Sequence, residues 1–189
     1  MGLLLATALL QLVCWLLPGF DPMVSREHGP LENFQVVCLV LGAVIFLREA
    51  ARSTGGPVRL MALGLALLHF SFLVIEVDVR SFAPPAWVNS LLNGTIRDAW
   101  LGLLWVAWGV AVWLARLAVL PAGWSWMASR SGLVMIYAGI FWNLGALIEK
   151  GRLFSRADLT RLGEEAMEVC AAAFMLLAAL LFQKGRPER

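Results

Sequence analysis

An all-α, polytopic membrane helical bundle of about six transmembrane helices is the fold class this sequence predicts, and three observations predict it. The chain is 60% hydrophobic and 15% charged, with a mean hydropathy of +0.78, whereas soluble domains average about 25% charged residues. Its apolar residues gather into runs long enough to cross a hydrocarbon core about 30 Å thick, which takes roughly 20 helical residues. Five of those runs carry an acid at one end and a base at the other: Glu32 and Arg48, Arg59 and Glu76, Asp98 and Arg116, Arg130 and Glu149, Glu168 and Lys184. The order alternates from run to run, so a chain threading back and forth through a bilayer gathers its acids on one face.

The first span, about 2–18, is apolar from Gly2 to Leu17, stops at Pro18-Gly19 and holds one strongly polar side chain, Gln11. It lacks the basic flank and the small-x-small cleavage site of a signal peptide, so it is expected to stay as a first helix. The second, about 31–48, follows Gly29-Pro30; proline suits a first helical turn, where its missing N–H has no helical partner anyway. The third, about 59–77, is stopped by Pro84-Pro85. The fourth, about 99–120, contains Trp105, Trp108 and Trp113, which read as packing or lipid-facing residues. The fifth is about 131–149. The sixth, about 164–183, belongs to a helix expected to begin near 156, because Ser155-x-x-Asp158 resembles a capping box with Asp in place of Glu or Gln. These spans take up most of the chain, which reads as a single integral membrane domain over 1–189.

On that map only Glu49 and Glu188 of the 13 acids leave the acid face. The bases divide eight to seven in favour of the opposite side, and basic residues in short loops tend to stay cytoplasmic. The expected location is the plasma (inner) membrane, with both termini cytoplasmic and the acid face outside. Trp87 and Trp100 near one face, and Trp124 and Trp126 near the other, are placed as an aromatic belt would be. A net charge of +2 is too mild to argue for a nucleic-acid partner. Cys14, Cys38 and Cys170 all fall inside spans, without CxxC spacing, and read as small apolar packing residues.

Candidate chemistry lies at the acid face. Glu32 and Arg48 are 16 positions apart, about 24 Å of helix, which is shorter than the hydrocarbon core. Glutamate snorkels less well than arginine, so Glu32, Glu76 and Glu168 are expected slightly below the interface, where a carboxylate is costly unless paired, protonated or wetted. The helix macrodipole alone accounts for acids at helix starts, such as Glu32 and Asp98, but not for Glu76 and Glu149 at helix ends. His69, Glu76 and Arg80 share one stripe of the third span, with Asp78 on an adjacent face. Intramembrane ionisable groups are functional candidates by default, although a neutral His69 bonded to a backbone carbonyl is the structural alternative. Glu164, Glu165 and Glu168 form a second cluster, and the segment from Arg26 to Glu32, with Gln35 one turn further in, forms a third.

The candidate ligand-binding residues are therefore Glu32, His69, Glu76, Asp78, Arg80, Arg97, Asp98, Glu165 and Glu168. Of these, Glu32, His69, Glu76, Glu165 and Glu168 are also suitable ligand types for a divalent metal, the one cofactor the composition suggests. No HExxH, Glu-x-x-His, GxSxG, Walker or Rossmann pattern supports a named catalytic centre. Three roles follow as expectations. The outer cluster binds a cation, a proton or a polar lipid headgroup in a transport or binding protein. Alternatively, acids or a metal act on lipid substrates, with Arg80 or Arg97 gripping a phosphate. In the third, the acid face docks a membrane protein partner and the chain is an accessory subunit.

Overall fold

The computed structural model describes residues 30–77, 85–150 and 157–184. Among these residues there are seven α-helices and no strand: α1 (Pro30–Arg52), α2 (Gly56–Glu76), α3 (Ala86–Leu92), α4 (Gly94–Leu114), α5 (Arg116–Met127), α6 (Arg130–Glu149) and α7 (Ala157–Lys184). Five helical stretches are long and apolar enough to span a membrane: Leu31–Arg52, Gly56–Glu76, Gly94–Leu114, Arg130–Glu149 and Gly163–Gln183. The protein is an all-helical membrane bundle. The expected first span, 2–18, lies outside the described residues.

Most ends follow local chemistry. Pro57 occupies the second position of α2, after Gly55 as N-cap. Ser129 caps α6, its Oγ accepting from the Gly132 N–H at 3.2 Å, which satisfies one of the donors a helix start leaves open. Pro85 is the N-cap of α3, a short helix the hydropathy pattern did not signal. The fourth span differs from its expected limits of 99–120. It begins at Gly94, whose φ of 65° suits a residue without Cβ, and it ends at Leu114. Ala115 leaves the helical region with ψ near 11°, and a separate α5 follows with Pro121 inside it. At the junction, Arg116 Nη1 donates to the Trp113 carbonyl at 3.0 Å, satisfying an oxygen near the end of α4.

The described residues form two units, those up to 42 with those from 127 onward, and those between 43 and 126; α1 contributes to both. In the first unit, α6 and α7 are the most extensively packed helix pair. Ser131 near one end of α6 meets Ala178, and Gly145 near the other end meets Glu164 and Glu168, so the two helices are antiparallel. Small residues make the seam: Gly132, Ala138 and Gly145 of α6 are buried, as are Ala171, Ala172 and Ala173 of α7. Lipid tails are as apolar as leucine, so close backbone approach and packing, rather than hydrophobicity, hold such helices together. A buried hydrogen bond adds to this, Ser131 Oγ donating to the Ala178 carbonyl at 2.8 Å. The start of α1 joins the unit through Leu31, which clusters with Val169 of α7, with Phe34 packed alongside.

In the second unit, α2 and α4 are fastened by two indoles. Trp105 Nε1 donates to Ser71 Oγ at 3.0 Å, and Trp108 Nε1 donates to the Leu60 carbonyl at 2.9 Å. The Trp108 ring lies over Gly64, where a Cβ would stand 2.5 Å from its atoms. Trp105 and Trp108 meet edge to face with centroids 5.5 Å apart. Leu101 is the only buried residue of α4, and just 6% of its apolar window is covered.

Candidate functional site

Of the nine candidate residues, Glu32, Glu165 and Glu168 belong to the first unit and His69, Glu76, Arg97 and Asp98 to the second. Asp78 and Arg80 lie outside the described residues.

The first unit concentrates polar groups where the start of α1 meets α7. Glu32, Glu164, Glu165 and Glu168 are half-buried, and each has a polar or electrostatic partner. The Glu168 side chain passes over Gly145 of α6, its Cγ 3.3 Å from where a Cβ there would stand, with the Glu164 carbonyl 3.6 Å away. A glycine in α6 thus makes room for the acidic first half of α7. Gln35 is the most unusual member. It lies one turn beyond Glu32 and one turn beyond Leu31, on the α1 face that packs on Val169. It is fully buried, and neither its Oε1 nor its Nε2 has a hydrogen-bond partner among the described residues. Leaving a buried polar group unmatched costs about 1–3 kcal/mol, so such groups in native proteins usually meet water or an ion.

In the second unit, His69 is also fully buried. Its Nδ1 lies 2.8 Å from the Leu65 carbonyl one turn earlier. A carbonyl only accepts, so Nδ1 carries a proton. The ring meets Phe46 of α1 edge-on, with centroids 5.2 Å apart. Two residues on, Ser71 returns its own hydroxyl to the Leu67 carbonyl at 2.8 Å while accepting from Trp105. His69 thus has the backbone-bonded, packed geometry that sequence reasoning held as its structural alternative. Glu76 closes α2, seven residues beyond His69 on the same stripe, and is half-buried; the helical rise separates the two by about 10 Å.

Arg97 and Asp98 are satisfied by each other. Arg97 Nε donates to Asp98 Oδ1 at 2.9 Å, and 65% of the Asp98 side chain is exposed. A solvated pair between sequence neighbours contributes about 0–1 kcal/mol and spends the guanidinium's charge locally. Among the described residues, no three His, Cys, Asp or Glu side chains come together in a way that could hold a metal ion.

Two features had little signal in the sequence. Gln35 reads as an inward extension of Glu32, but its complete burial depends on what packs around α1. Glu49 reads as an ordinary charge of the basic end, yet it is 3% exposed, and its carbonyl accepts from both the backbone N–H and the hydroxyl of Ser53, at 3.0 and 2.7 Å. No family model, curated protein or solved structure matches the chain.

Proposed function

We propose that this chain is a binding or transport protein of the membrane that takes up a small cation at the acidic end of its first unit, where α1 and α7 meet. The observation that carries this reading is Gln35, a fully buried amide without a partner among the described residues, one turn from Glu32. The Gln35 amide presents an acceptor in Oε1 and a donor in Nε2; with Glu32 one turn away, the oxygen and the carboxylates of this end favour a positively charged or proton-bearing guest. The ligand class is a proton, a monovalent cation or the ammonium of a polar lipid headgroup. A tight divalent site is less well served, since no three metal-ligating side chains converge among the described residues. The acid face is assigned to the non-cytoplasmic side of the plasma (inner) membrane, with both termini in the cytoplasm. This rests on the eleven acids gathered on one side of the chain's topology map and on its small excess of basic residues on the other.

The test is stabilisation of the purified protein by Na⁺, K⁺, NH₄⁺ and Mg²⁺ chlorides, with Gln35→Leu and Glu168→Gln as variants. Gln35→Leu removes the unmatched amide, so it should raise unliganded stability by about 1–3 kcal/mol. It should also remove the difference between cations seen in the parent protein, and Glu168→Gln should weaken that difference. Identical cation profiles in all three proteins would refute the proposal. Sidedness is tested separately by reporter fusions after Gln183 and within 85–93, which should report cytoplasm and exterior respectively.

A second reading, an accessory subunit, has one observation in its favour. The helix α4 is almost uncovered, and a membrane partner seated there would appear as a co-purifying protein lost on Leu103→Ala and Val106→Ala substitution.

A further inference from the structure

The second unit carries an apolar groove of about 380 Å³ on its flank, a volume within the range of small-molecule sites, roughly 300–1,000 Å³. Its walls come from α1, α2 and α4, with Leu47, Leu60 and Ala111 toward one end and Leu63, Phe70 and Leu104 further along. From Leu60 to Phe70 the groove follows α2 for ten residues, about 15 Å of helix. That is the depth of one leaflet, half of an ~30 Å hydrocarbon core.

The end of the groove nearest Leu47 and Leu60 is the end where three arginines cluster around the α1–α2 turn. Arg48 follows Leu47, Arg59 precedes Leu60, and Arg52 closes α1. All three are exposed. None has a carboxylate partner among the described residues, where the arginine that does is Arg97, paired with Asp98 on another helix. Orientation during insertion would require basic residues at this end. It would not require them to border the mouth of a groove that runs one leaflet deep.

We propose that this groove binds one acyl chain of an anionic phospholipid, whose phosphate is held by Arg48 and Arg59. Each part answers one part of the lipid. The guanidiniums offer forked donors to phosphate oxygens, and basic pockets between transmembrane helices on the cytoplasmic side are suited to anionic headgroups. The groove supplies apolar walls over the length of a chain in the same leaflet. The site shares no residue with the cation site proposed for the first unit.

The experiment is lipid binding to the full-length protein in mild detergent, read by native mass spectrometry and by thermal stabilisation. The probes are dioleoyl phosphatidylglycerol, dioleoyl phosphatidylcholine and inorganic phosphate. The parent protein should prefer phosphatidylglycerol over phosphatidylcholine by roughly tenfold or more, given two arginines at the surface. Phosphate alone should not stabilise it. The double variant Arg48→Gln/Arg59→Gln changes exposed residues only and should bind both lipids alike. Ala111→Phe should fill the groove and lower retention of both lipids; Leu63→Trp, at an exposed groove position, does the same if Ala111→Phe fails to fold. Equal affinity for the two lipids in the parent, an intact preference in the arginine variant, full retention in the groove variants, or stabilisation by phosphate alone would each overturn the proposal.

Discussion

Replacing Gly64 with alanine tests the fastening of α4 to α2 most directly. A Cβ at this position would lie 2.5 Å from Trp108 Cε2 and Cζ2 and 2.7 Å from Nε1, about 1 Å inside the 3.5–4.0 Å at which carbon atoms rest. The indole cannot slide away freely, because Nε1 is donating to the Leu60 carbonyl at 2.9 Å. Moving it by about 1 Å stretches that bond beyond useful length, at a cost of about 0.5–1.5 kcal/mol. Over-packing adds about 1–3 kcal/mol, and alanine's better helix propensity returns up to about 1 kcal/mol. The expected net is a loss between about 0.5 and 4.5 kcal/mol. Thermal unfolding in detergent, followed by circular dichroism, measures it for Gly64→Ala, Trp108→Leu and the double variant. Since leucine removes the three clashing atoms, the double variant should lose less than the two single losses combined, by about 1 kcal/mol. Gly102→Ala, where nothing lies within 4 Å of the added methyl, is the control and should be neutral or slightly stabilising. Equal stability of Gly64→Ala and Gly102→Ala would refute the close seat of Trp108 on Gly64.

Other outcomes follow from the first unit. Ser131→Ala removes the hydroxyl that bridges α6 to the Ala178 carbonyl and should cost about 0.6–1.7 kcal/mol in the same unfolding assay, the range of hydrogen bonds between membrane helices; no loss would assign the seam to packing alone. Gly145→Ala should be tolerated within a few tenths of a kcal/mol, because its nearest neighbours would stand at 3.3–3.6 Å, whereas Gly145→Leu should separate α6 from Glu168 and cost about 2 kcal/mol or more. Equal stability of those two variants would contradict the close seam. In a Cys14→Ser background, N-ethylmaleimide should modify Cys170, which is half-buried, ahead of Cys38, which is 1% exposed; mass spectrometry of partially labelled protein gives the order.

The spans from α1, α2, α6 and α7 were legible to within about four residues, because hydropathy, flanking charge and caps all mark the same boundaries. The fourth span was not: the helix ends beside Arg116, the charge that closes the run, while the apolar residues 117–120 carried the expected limit past it. Hydropathy averaged over a window does not mark a single residue leaving the helical region, and Pro121 sits too far along to mark it. For the candidate site, residue types were legible but convergence was not. His69 and Glu76 share a stripe in sequence and in the helix, yet what meets His69 is Phe46 of α1, which the spacing within one helix does not reveal. Arg97 and Asp98 were legible as charges, while their mutual pairing depends on side-chain rotamers. Gln35 was visible as a polar residue in an apolar run; its isolation required knowing that Leu31 packs on Val169.

The two indole bonds of α4 have a consequence for how that helix is held in the plane of the bilayer. A helix that is apolar all around its circumference has no preferred azimuth in lipid, since turning it about its axis exchanges one greasy face for another. Trp105 and Trp108, three residues apart, both direct an N–H at α2. Any large rotation of α4 would leave both donors without acceptors in hydrocarbon. The pair therefore acts as a rotational lock, setting which sector of α4 faces the lipid for a helix whose composition leaves that choice open.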